Sequence, residues 1–150
     1  MFDKETYIRR RSELKRLVGK GIILLFGNNE APANYPANGY APFRQDSSFL
    51  YYFGQHRDGL VGVIDIDNDE EWLFGDDIDV EDIVWMGYTP SVADLAAEVG
   101  VTKTAPISNL KSQISNLKRF TFCPPIATIR RYKSWTFWES IPHSRKRLPA

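Results

Sequence analysis

Apolar and polar positions alternate along the chain with a period that changes, and each change marks an element. Between residues 4 and 18, Tyr7, Leu14, Leu17 and Val18 recur at helical spacing while Arg9, Arg10, Glu13 and Arg16 point elsewhere. This predicts an amphipathic helix stopped by Gly19 and Gly21. Gly21-Ile22-Ile23-Leu24-Leu25-Phe26-Gly27 is an unbroken apolar run between glycines, the pattern of a strand buried on both faces. Residues 27–40 crowd Asn28, Asn29, Pro32, Asn34, Pro36, Asn38 and Gly39 together and predict a long loop, a kind of segment that is often functional. Asp46 is placed to cap a short helix from Ser47 to Phe53, closed by Gly54. Strands are expected over Leu60–Ile66 and Glu71–Phe74, joined by the polar turn 67–70. Residues 78–84 read as one helical turn. Ser91 caps a helix running to Val99 and ended by Gly100, and Ser108 starts another with Leu110, Ile114 and Leu117 on one face. Phe120 and Phe122 can add an edge strand. Strands alternating with helices predict an α/β fold, a mixed β-sheet sandwiched by helices.

The length of 150 residues suits one domain with a core of its own. The formal charge of zero hides an asymmetry. Residues 1–118 carry 12 Lys/Arg against 18 Asp/Glu, whereas residues 119–150 carry seven Lys/Arg against Glu139 alone. So sharp a break divides the chain into a domain, 1–118, and a basic tail, 119–150. In the tail Ile126, Ile129, Tyr132, Trp135, Phe137 and Trp138 fit neither structural period, so an irregular, weakly ordered end is expected. No apolar run approaches the roughly 20 residues that span a bilayer, and Met1-Phe2-Asp3-Lys4-Glu5 lacks an apolar leader. The chain reads as cytoplasmic, with no membrane partner.

Candidate chemistry is sparse. One cysteine, Cys123, and two histidines, His56 and His143, exclude a multi-Cys zinc site and leave little for metal catalysis. Ten of the eighteen residues 65–82 are acidic. Asp65-Ile66-Asp67-Asn68-Asp69 begins like a calcium loop, but Glu70 stands where that loop needs Gly, and Asp76 where it needs a bidentate Glu. A solvated hairpin turn is the better reading. Arg9, Arg10, Arg11, Lys15, Arg16 and Lys20 form a basic cluster without interleaved exposed aromatics, inside an acidic domain that repels phosphate backbones. A solvated helix face is favoured over a nucleic-acid surface. No Gly-x-Ser-x-Gly elbow or phosphate loop occurs. Composition and motif alone describe a non-catalytic α/β domain, and a stand-alone module binding a protein or peptide through the 27–40 loop and the acidic surface is one reading of it.

The discriminating segment is Phe43-Arg44-Gln45-Asp46-Ser47-Ser48-Phe49-Leu50-Tyr51-Tyr52-Phe53-Gly54. It resembles the hallmark of the amino-terminal domain of aminopeptidase P, the Xaa-Pro aminopeptidase of the creatinase/prolidase superfamily. Gly27-Asn28, Asn34-Tyr35, the strand Val61–Ile66, Leu73-Phe74 and Trp85-Met86-Gly87 follow the family's order. The resemblance covers residues 1–118. It implies a domain that helps assemble a homo-oligomer and shapes the active-site mouth. It also implies a separate catalytic "pita-bread" domain, absent here, which binds two manganese ions and removes the residue preceding proline. No metal ligand maps to this chain, so it is expected to be catalytically inert, without a cofactor of its own, and to have the catalytic domain as its partner. Phe43, Arg44, Gln45 and Asp46 are the structural motif. Arg44 is expected to be held by a carboxylate, and Trp85 is the candidate for the active-site mouth, with core packing the alternative. Codons permitted for residues 119–150 can be read in a shifted frame as text closer to the family, so the tail is read as out of frame.

Overall fold

The computed structural model describes residues 2–30, 43–78, 87, 89–115 and 120–123. Five strands form one mixed sheet: β1 (Ile22–Phe26), β2 (Val61–Asp65), β3 (Glu70–Phe74), β4 (Lys103–Ala105) and β5 (Phe120–Cys123). Their spatial order is β4-β3-β2-β1-β5. β2 runs antiparallel to both β1 and β3, while β4 is parallel to β3 and β5 is parallel to β1. Four strands therefore share one direction, with β2 alone reversed. The helices are α1 (Lys4–Val18), α2 (Ser47–Phe53), α3 (Val92–Glu98) and α4 (Ile107–Ser115).

The unbroken apolar run of β1 is explained by the two cores it serves. Ile23 and Leu25 enter one cluster with Tyr7 of α1, Phe49 and Phe53 of α2, and Val92, Leu95 and Ala96 of α3. Ile22 and Leu24 face the other, with Val61, Val63, Phe74 and Leu110 of α4. The sheet is thus covered by α1, α2 and α3 on one face and by α4 on the other, a sandwich of helices around a mixed sheet as expected.

Local signals place most boundaries. Asp46 Oδ1 accepts from the Ser48 and Phe49 amides (2.9 and 3.0 Å), which fixes the start of α2. Gly54 ends it with φ +64°, its amide donating to the Leu50 carbonyl. A Cβ there would lie 2.3 Å from the Tyr7 ring, so close approach of α1 to α2 as well as the turn requires glycine. Ser91 and Asp94 close a capping box at the start of α3. The expected turn at 67–70 is the β2–β3 hairpin turn, in which Asp65 accepts from Asn68 and Asp67 accepts from the Gly21 amide.

Two readings need correcting. The buried stripe of α1 is Tyr7 and Arg11, with Leu14 half-buried, whereas Leu17 is 67% exposed. Strand β4 was not expected; it is too short to show a period. Conversely, β5 lies at the sheet edge, as Phe120 and Phe122 anticipated. The anticipated helical turn over 78–84 and most of the 27–40 loop lie outside the described residues, as does the chain beyond Cys123.

Candidate functional site

Because β1, β3, β4 and β5 run one way, their carboxyl ends gather on one side of the sheet, where β2 also begins. In open α/β sheets this is the side that meets ligands. The segments leaving β1 and β3, and the one entering β2, lie there, and the described chain leaves β5 at the same end.

The hallmark motif fixes the base of this rim. Gln45 is fully buried, and its amide joins three segments. Its Oε1 accepts from the Asn28 and Asp46 amides, and its Nε2 donates to the Arg57 carbonyl (2.6 Å). The fit is close: a Cβ on Gly27 would sit 2.9 Å from Gln45 Nε2 and 2.8 Å from the Leu60 carbonyl oxygen. Asn28 Nδ2 in turn donates to the Arg44 carbonyl at 2.9 Å. A second buried glutamine, Gln55, donates to the Leu95 carbonyl (2.8 Å) and to Glu98 (3.1 Å), tying the end of the motif to α3.

From β3 the rim is held by two adjacent aspartates. Asp76 Oδ1 accepts from the Ile107 amide at 3.0 Å and so caps α4; Asp77 Oδ1 accepts from the Val92 amide at 2.7 Å at the start of α3. Each carboxylate meets the positive end of a helix. Arg57 bridges them, donating to the Asp76 and Pro90 carbonyls and lying 3.9 Å from Asp77. Phe43 stands edge-on to the exposed His56, ring centroids 5.7 Å apart.

The motif residues separate by role. Gln45 and Asp46 are buried and structural. Arg44 is exposed, and its fixed group is its backbone carbonyl. The arginines that tie loop carbonyls together are Arg57 and, on the helical face, Arg11. Arg11 is fully buried: Nε donates to Glu71 Oε2 (2.7 Å), Nη1 to the Tyr52 carbonyl (2.9 Å) and Nη2 to the Val99 carbonyl (2.7 Å). Sequence reasoning placed Arg11 on a solvated helix face, a reading its full burial corrects, and passed over Gln55 and Arg57. Trp85 lies outside the described residues.

Besides Arg11, three members of the basic cluster, Arg10, Lys15 and Arg16, are engaged within the fold. Arg10 lies 4.1 Å from the centroid of Tyr51 and 4.5 Å from that of Phe2. Lys15 bonds Asp69 and Glu71 (both 2.8 Å), and Arg16 pairs with Glu13. Burial alone would lower the Lys15 pKa, but the two carboxylates raise it overall. Lys15 lowers that of Asp69, and Lys103 with Trp72 lowers that of Glu70. Among the described residues no three His, Cys, Asp or Glu side chains gather to hold a metal ion. Asp65, Asp67, Asp69, Glu70 and Glu71 of the acidic stretch are each bonded to a protein group.

The family model for the amino-terminal domain of aminopeptidase P matches residues 7–121. The chain belongs to the aminopeptidase P amino-terminal domain family. A probable Xaa-Pro aminopeptidase of Aspergillus niger is 29% identical over 110 residues, covering 71% of this chain and 22% of the relative. The human Xaa-Pro dipeptidase is 27% identical over 101 residues, 67% of this chain and 20% of the relative. The chain therefore spans about a fifth of the length of these relatives. Escherichia coli aminopeptidase P in its low-pH form superposes with a TM-score of 0.66 at 24% identity, covering 77% of this chain and 27% of that one, a likeness of fold. A zinc-substituted form of the same enzyme with bound product gives 0.66 at 25% identity, with the same coverage. The segment that anchors the rim lies within the matched residues. No helix among the described residues is long and apolar enough to cross a membrane.

Proposed function

We propose that this chain serves as the amino-terminal domain of a manganese-dependent Xaa-Pro aminopeptidase in the cytoplasm, shaping the active-site mouth and helping to assemble a homo-oligomer, and that alone it is catalytically inert. The observation that carries the reading is the family match over residues 7–121, joined to the direction of β5. Since β5 parallels β1, a polypeptide continuing past Cys123 leaves from the rim held by Gln45, Arg57, Asp76 and Asp77. A catalytic domain attached there meets that rim at high effective concentration. The two manganese ions are assigned to that domain; among the described residues of this one, no three His, Cys, Asp or Glu side chains gather to hold a metal ion. Trp85 is assigned to the mouth by the resemblance, and residues 1–118 to the domain, with 119–150 as a tail whose first residues add β5 to the domain's sheet. The test is turnover of Xaa-Pro peptides by the purified chain, with and without manganese. No turnover is expected in either condition, and turnover that copurifies with the chain through successive columns would overturn the proposal.

A further inference from the structure

We draw no further inference here: the strongest candidate, the exposed surface cluster of Phe2, Arg10 and Tyr51 across the first two helices, carries none because nothing in the structure shows what covers it.

Discussion

Replacing Arg11 tests the packing of the helical face most directly. Its guanidinium, fully buried, reaches β3 through Glu71, the last turn of α2 through the Tyr52 carbonyl, and the end of α3 through the Val99 carbonyl. Arg11→Met keeps much of the apolar stem and removes all three donors. Losing the donor costs about 1–3 kcal/mol at the buried Val99 carbonyl and less at the half-buried Tyr52 carbonyl. The loss at Glu71 is smaller, because Lys15 still holds that carboxylate at 2.8 Å and it keeps some contact with water. The sum is about 3–4 kcal/mol, within the range of about 3–5 kcal/mol for breaking a buried pair from one side. In urea this moves the unfolding midpoint by roughly 1–2 M. Arg11→Lys keeps the charge, but a single ammonium cannot span three acceptors in three directions, so an intermediate loss of about 1–2 kcal/mol is expected. Glu71→Gln leaves Arg11 two carbonyls and a neutral acceptor, and a double-mutant cycle with Arg11→Met should report coupling of about 1–3 kcal/mol. An Arg11→Met protein unfolding at the wild-type midpoint would refute the reasoning.

Gln45→Leu should destabilise by about 2–4 kcal/mol, since the Asn28 amide and the Arg57 carbonyl lose their partner; hydrogen exchange should rise first at Asn28 and Asp46. Asp46→Ala should cost about 0.5–2 kcal/mol through the lost α2 cap, and Asp46→Asn much less, as read by thermal unfolding. Arg44→Ala should stay within about 0.5 kcal/mol of wild type, because its side chain is exposed; a larger loss by urea titration would place a buried partner on it. Stability should also depend on pH. The folded pKa values of Asp69 and Glu70 are depressed, so their contribution is present above the ordinary value near 4 and is lost as pH falls through the folded values. The Lys15 contribution is present below about 10.5 and is lost as pH rises through its raised value. Urea midpoints that stay flat from pH 5 to pH 2 would count against the carboxylate pairs.

What the sequence made legible follows from the range of the forces involved. Helix α2 could be bounded to the residue, because Asp46 and Gly54 act within three or four positions of themselves. The double burial of β1 was readable because each apolar residue declares itself. Arg11 was misread as part of a solvated face, because its partners Glu71 and Val99 are 60 and 88 residues away. Yet a signal existed: Arg11 lies four residues after Tyr7 and three before Leu14, on the apolar stripe itself, where a charge demands a buried partner. Gln45 and Gln55 gave no comparable sign, since a polar residue beside a capped helix is ordinary. Strand β4 has three residues and is recognised by pairing: its register with β3 and the Gly75 amide donating to the Ala105 carbonyl. None of these long-range pairs leaves a local period to find.

Among the described residues, the side-chain hydrogen bonds of the hallmark segment and the residue after it are directed inward. Gln45 satisfies donors and an acceptor from both sides of a gap where Gly27 leaves room for nothing larger, and Gln55 repeats the device toward α3. Across the rim, Asp76 and Asp77 fix the starts of two helices on opposite faces of the sheet from consecutive positions after β3. Arg57 is common to both arrangements, accepting from Gln45 through its carbonyl while its guanidinium donates to the Asp76 carbonyl. The hallmark and the acidic pair are therefore one connected network of hydrogen bonds, rigid because each buried group is satisfied by a neighbour that is itself fixed. Such a network is poorly suited to chemistry, since its polar atoms are already engaged, and well suited to hold a rim in one shape. That is the contribution the proposed role asks of this domain.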